Sequence, residues 1–392
     1  MYNKIMNARD GDVVLMHDLY KTTVTAACKA IPELIGKGYE LVTVSELYRR
    51  KGVTLENGKV YRGAHDYTSL AAGAVDAYAA VSVTKTAVID AADGGMGVYA
   101  VTLDDSLFGG GSLTVAAPFA DVTLLPEAVR DGPVTVSVRM SGADVSVEVS
   151  RNGARMEQVP GGIYIGLPGT NLTAASVAVS VAPSGSRTPI VRSAAVSATV
   201  LRAYIDGSAV VGIDADAAKA FRDANADWAK SAVDFVSARG LLSGVSADMF
   251  GIYACVTRGM ITTVLWRMAG SPASSAALTF TDVEASQYYA PAVAWAAEAG
   301  IVSGVGGRRF APESSLTREQ AVVLLYHYGG GSTSGDTGTL PCADWARDAY
   351  AWAKAVGVLT ETDAAWVRPG GAVSRTEVAV LLYRFLAASL YV

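Results

Sequence analysis

The sequence predicts a multidomain chain: a partial α/β segment, then an all-β, sandwich-like region, then an α-helical bundle built from three repeats. Three observations predict it. Short apolar runs alternate with a helical pattern over residues 1–65. Residues 66–205 hold no tryptophan and are rich in Val, Ala, Ser, Thr and Gly. All 6 tryptophans fall in the remaining part, which aligns with itself in three copies. A length of 392 residues suits two or three domains.

In the first zone, DVVLMH (12–17) suits a buried strand. Thr22 to Lys37 reads as a helix, with Val24, Ala27, Ile31, Leu34 and Ile35 on one side and Pro32 interrupting it. ELVTV (40–44) reads as a second strand, and SELYRRKG opens a second helix. One such βαβ unit cannot cover its own strands, so 1–65 reads as an incomplete domain.

The second zone, 66–205, alternates. Val134, Val136 and Val138 are separated by Thr and Ser, as are Val145, Val147 and Val149 by Ser and Glu; Val177, Val179 and Val181 follow suit. Turn residues such as Asn152-Gly153 stand between the runs. Period two with polar partners is the pattern of half-buried antiparallel strands. The zone reads as a β-rich spacer or accessory region.

The third zone carries repeats at 223–272, 278–330 and 340–388. Trp228, Tyr289 and Trp345 correspond, as do Arg258, Arg318 and Arg375. Each copy reads as helix, loop, helix. Gly240, Gly300 and Gly357 stop the first helices. Thr257, Thr317 and Ser374 cap the second ones, with capping boxes at Thr317–Gln320 and Ser374–Glu377. The arginine follows the cap directly. A cation there opposes the helix dipole at a cost of about 0.3–1 kcal/mol, so stability alone does not explain three of them. First-turn amides and a guanidinium fork suit a carboxylate. The competing structural reading pairs each arginine with an acid of the neighbouring copy. The aromatics are read either as core or as platforms for sugar rings.

Composition excludes other classes. A net charge of -5 and a pI near 5.4 disfavour a nucleic-acid partner. The 3 cysteines and 3 histidines are scattered, so no metal site and no disulfide framework are expected. No apolar run is long enough for a membrane span.

The repeats resemble the S-layer homology domain. The resemblance rests on FTDV (280–283), on Gly300 to Gly304, on Phe310-Ala311-Pro312, and on TRGM (257–260), TREQ (317–320) and SRTE (374–377). It implies a three-part helical bundle whose grooves bind secondary cell-wall polysaccharide, often bearing a pyruvate ketal. The binding residues it implies are Arg258, Arg318, Arg375, Trp228, Tyr289, Trp345, Gly244 and Gly304. Copy one departs at Gly259-Met260 and Gly251-Ile252, and copy three at Thr360, read as standing where the others have their second glycine. Unequal grooves are expected.

The segment from Asp10 to Leu47 resembles the end of a polysaccharide deacetylase β/α barrel. There, Leu15-Met16-His17 would supply a pocket wall and the general-acid histidine. The family's Asp-Asp pair and H-x-x-x-H element do not precede His17, so this chain by itself is expected to be inactive and His17 vestigial. No cofactor is implied for the chain; a divalent metal such as zinc belongs to a complete deacetylase. The first residues lack the apolar stretch of a signal peptide. The chain is therefore expected to be part of a longer exported protein, extracellular at the cell wall or S-layer. Two alternatives stand beside anchoring: a surface-attached deacetylase, and an array protein assembling through strand edges.

Overall fold

A computed structural model describes residues 87–90, 92–93, 97–109, 111–225, 227–275, 278–331, 340–361 and 363–390. The readings made for 1–65, including Leu15 and His17, lie outside these residues. The chain divides into Met1–Tyr78 and Ala79–Val392; the fold below is that of the second unit.

Its first half is two sheets. The strands of one run in the order β1 (Ala87–Asp90), β4 (Leu113–Ala117), β5 (Ala120–Leu124), β9 (Ile163–Pro168), β13 (Val200–Ile205), β12 (Ser193–Ala195). The other runs β11 (Arg187–Pro189), β10 (Val177–Val181), β14 (Ala209–Asp214), β7 (Asp144–Arg151), β6 (Val134–Ser141), β3 (Val98–Leu103), β2 (Ala92–Asp93), with β8 (Ala154–Arg155) on β7. Pairing is antiparallel except between β1 and β4, which run parallel.

The alternation fixes the faces. Val136 stands opposite Val149, and Val138 opposite Val147. All four are buried, in one apolar core with Val122, Leu124, Ile163 and Ile165 of the other sheet. A one-residue slip would turn this whole set to solvent, so the register is strongly specified. Asn152 and Gly153, both at positive φ, form the tight turn between β7 and β8.

The β region runs past the expected boundary at 205. Strand β14 ends at Asp214 and sits inside its sheet, between β10 and β7. Its alternation is broken by Gly212, where a side chain would collide with the Asp144 carboxylate.

The second half is helical: α1 (Asp227–Ala238), α2 (Arg258–Met268), α3 (Ala290–Glu298), α4 (Arg318–Tyr328), α5 (Arg347–Ala355), α6 (Ala364–Val367) and α7 (Arg375–Ala388). The caps sit at Thr257, Thr317 and Ser374, and both capping boxes are formed. Gly240, Gly300 and Gly357 adopt the left-handed conformation just beyond the first helices.

The helix partners differ from a copy-by-copy reading. The principal pairings are α2 with α3, α4 with α5, and α7 with α1. Each copy thus lends its second helix to the next copy's first, and the third copy closes back on the first. The centre is a closed circuit of backbone hydrogen bonds. Val256 N–H donates to Val373 (3.0 Å), Val373 to Leu316 (2.9 Å) and Leu316 to Val256 (2.9 Å). All three side chains are fully buried. One apolar core, including Phe235, Phe250, Phe310, Tyr350 and Leu382, serves all three copies.

Candidate functional site: the three seams of the ring

Each arginine lies at a seam between copies. Arg258 of copy one reaches copy two: its Nε donates to Phe310 O (2.9 Å) and its Nη2 to Ser303 O (2.8 Å). Arg375 of copy three reaches copy one in the same way, through Phe250 O (2.8 Å) and Ser243 O. The two guanidiniums also stand over the Phe310 and Phe250 rings, each 4.7 Å from the centroid. Burial pushes both below the ordinary arginine value, opposed by Asp282 and Asp223 respectively. Among the described residues, no carboxylate forms an ion pair with either.

Arg318, at the seam between copies two and three, differs. Its Nε and Nη2 both donate to Glu377 Oε1, at 3.0 and 2.8 Å, and its Nη1 reaches Arg368 O at 3.4 Å. Here the competing reading holds: the arginine is paired with an acid of the next copy. Glu377 is also the capping-box residue of α7, since its Oε2 accepts the Ser374 amide (2.7 Å).

Most of the first-turn amides are taken, contrary to expectation. Arg258 and Gly259 donate to Ser314 O and Pro312 O; Arg318 and Glu319 donate to Gly371 O and Pro369 O; Arg375 donates to Ala254 O. The amide three residues after each cap goes to the cap side chain. The neighbouring copy has taken donors that the helix start leaves open. Anion binding at a seam therefore depends on the remaining guanidinium N–H groups.

Two acids missed as functional positions hold the loops that the arginines grip. Asp282 accepts the amides of Phe310 (2.8 Å) and Ala311 (2.9 Å). Asp223 accepts those of Phe250 (2.7 Å), Gly251 (2.7 Å) and Ile252 (3.2 Å). Burial raises their pKa, but the backbone donors outweigh it and hold both carboxyls below the usual range. The signal was present in the sequence. Phe221-Arg-Asp223 and Phe280-Thr-Asp282 stand at matching places, and copy three has Leu340-Pro-Cys342 there.

Copy three replaces the whole device. Cys342 stands where an acid is needed. Val367, at the place of Phe250 and Phe310, is 64% exposed whereas both phenylalanines are fully buried. Tyr350 and the neighbouring Trp366 fill the space instead, with Tyr350 Oη donating to Ala365 O (2.8 Å). Counted from Gly357, the residue matching Gly244 and Gly304 is Glu361 rather than Thr360. Those two glycines are required by close packing: a Cβ would press on Phe221 at Gly244 and on Phe280 at Gly304.

The aromatics split between their two readings. Tyr289 is core, 5% exposed, and its ring lies where a side chain on Gly259 would be. Trp345 is 57% exposed. The Trp228 side chain lies outside the described residues. Tyr288, 56% exposed, stands edge-on to Tyr289 and near enough to Arg375 and Arg267 to feel their charge.

This combination, an FTDV acid holding a Phe-Ala-Pro loop and an arginine in the first turn of a capped helix, lies within one stretch. Residues 279–322 match the S-layer homology domain. Three relatives are similar to part of the chain. An amylopullulanase of Thermoanaerobacterium thermosulfurigenes is 28% identical over 182 residues, 44% of this chain and 10% of its own. A surface-layer 125 kDa protein of Lysinibacillus sphaericus is 27% identical over 164 residues, 40% of this chain and 14% of its own. A peptidoglycan-N-acetylglucosamine deacetylase, PgdA, of Listeria monocytogenes is 44% identical over 57 residues, 14% of this chain and 12% of its own. The chain thus spans a small fraction of the curated relatives it matches. No described helix is long and apolar enough to cross a membrane.

Proposed function

We propose that the helical ring attaches the chain non-covalently to the bacterial cell wall, outside the cell, by binding an acidic secondary cell-wall polysaccharide in a seam between copies. The observation that carries this reading is the state of Arg258. It is half-buried, held by two carbonyls, and without an ion-pair partner among the described residues. Three of its five N–H groups remain for a carboxylate such as that of a pyruvate ketal. The S-layer homology match across copy two and the similarity to a surface-layer protein support the same reading. Trp345 and Tyr288 are the aromatic faces on which sugar rings would stack. Arg318 and Arg375 are weaker candidates, the first because Glu377 occupies its fork and the second because it is only 6% exposed.

The test is co-sedimentation of the whole chain with purified cell walls, before and after chemical removal of the secondary polysaccharide. Binding that vanishes with the polysaccharide, and that Arg258→Gln weakens without lowering the melting temperature by more than a few degrees, supports the proposal. Binding that persists on stripped walls moves the ligand to peptidoglycan. No binding to either refutes attachment.

A second reading is favoured by one observation, the 44% identity to PgdA over 57 residues. The parent activity would then be deacetylation of an N-acetylated wall glycan, with His17 as general acid and Leu15 lining the acetyl pocket. A chain extended upstream through an Asp-Asp pair and an H-x-x-x-H element should release acetate from such a glycan with added zinc. Failure of that longer chain to do so would remove the enzyme reading.

A further inference from the structure

The β region makes polar and apolar contacts with α1 and α7, the two helices that close copy three onto copy one. Arg239, at the end of α1, is 3% exposed and pairs with no carboxylate among the described residues. Its donors go instead to carbonyls of the β region: Nε to Ser193 O (2.8 Å), Nη2 to Ser176 O (2.9 Å) and Nη1 to Ala174 O (3.3 Å), with Phe235 O (3.0 Å) of its own helix as the fourth. Its guanidinium lies 3.7 Å from the centroid of the Phe235 ring, and Phe235 stacks on Tyr383 of α7 at 4.5 Å. One stack therefore runs from the β carbonyls through α1 into α7. Burial pushes the Arg239 pKa down to about 9, so the group is still charged at neutral pH.

A second contact reaches the other partner of the same seam. Arg202 of β13 donates from Nη1 to Leu390 O (3.2 Å), just past α7. Strand β12 packs along α7, and Ala194 of β12 is fully buried in the helical core. Val177 and Val179 of β10 pack with Ala238 of α1.

This seam is unlike the other two. They join copies that follow each other along the chain, across separations of 45 to 59 residues. Closure joins residues 124 to 132 apart, a longer loop with a larger entropy to overcome. Like the Arg258 seam, it lacks the ion pair that holds copies two and three, since Met260 stands in copy one at the capping position that Glu377 has in copy three.

We infer that the β region has a function of its own: it is the clasp that closes the three-copy ring, gripping α1 through Arg239 and α7 through Arg202 and β12. It is then part of the wall-attachment unit rather than a spacer ahead of it. A pull entering through the β region would otherwise reach the ring at its chain-terminal helix α1 and peel it away. The clasp spreads that load onto α7. The inference does not depend on which ligand the ring binds.

The test is residue-resolved amide exchange on the full chain carrying Arg239→Met. The amides of Val256 and Arg375, which bridge the closure, should exchange at least tenfold faster than in the unsubstituted chain. Those of Gly259, Arg318 and Glu319, which bridge the other seams, should change by less than threefold. Unchanged exchange at Val256 and Arg375 would overturn the clasp. So would an equal rise at all three seams, because that is general destabilisation. If Arg239→Met does not fold, Arg202→Met is measured at the same amides, and the same two outcomes would overturn the clasp.

Discussion

The seam at Arg258 and the seam at Arg318 begin from the same sequence device and end in different structures. Both arginines follow a threonine cap and open a helix. At the first seam the neighbouring loop is held by Asp282, filled by Phe310 and left narrow by Gly304, so the arginine finds carbonyls. At the second the equivalents are Cys342, Val367 and Glu361, the arginine keeps one long bond to a loop carbonyl, Arg368 O, and takes Glu377 as its main partner. The acid, the aromatic and the glycine thus act together as one clamp. Losing it in copy three does not open the seam; it changes the arginine's partner.

The largest effect should come from the aromatic. Phe310→Ala should cost about 3–5 kcal/mol of stability, because the fully buried ring carries both the core and the Arg258 contact. Val367→Ala, at the matching place, should stay within about 0.5 kcal/mol. Denaturant unfolding of the two variants measures the difference. Equal costs would mean that copy three uses the same clamp after all.

The acid comes next. Asp282→Ala strands two amides and should cost about 1.5–3 kcal/mol, whereas Cys342→Ala should cost about 1 kcal/mol or less. The same carboxylates set an acid limit. Their folded pKa lies below the ordinary aspartate value of 3.8, so their contribution is complete above that value and is lost as pH falls through the lower, folded one. Melting temperature should therefore drop steeply below about pH 4 in the unsubstituted chain, and Asp223→Ala with Asp282→Ala should flatten that drop. A parallel shift of the two curves would mean that other groups control acid unfolding.

Much of this was legible because it is local. Alternating valines specified the strands β6 and β7, and cap and stop residues specified the helices. What depends on distant partners was not legible. Nothing near Arg258 or Gly259 says that their amides meet Ser314 and Pro312, and nothing near α1 says that it packs on α7. Strand β14 escaped because Gly212 serves Asp144, more than sixty residues away, rather than its own pattern. Treating each copy as a unit hid the exchange of helices between copies. The arginines were found, but their surroundings were set by the neighbouring copy.

The smallest prediction separates the two seams most sharply. Glu377→Gln keeps the cap of α7, since Gln320 makes the same capping box in copy two. It removes only the charge facing Arg318. Both side chains are partly exposed, 17% and 22%, so the loss should be about 1 kcal/mol or less. The functional change should run the other way. With its internal carboxylate gone, Arg318 becomes as uncompensated as Arg258, and wall binding should rise by a second seam, helped by effective concentration. The comparison is made in the Arg258→Gln background, where the first seam is already weakened. Restored co-sedimentation there would show that Glu377 stands in for a ligand carboxylate; no gain would confine the anion site to the seam of Arg258.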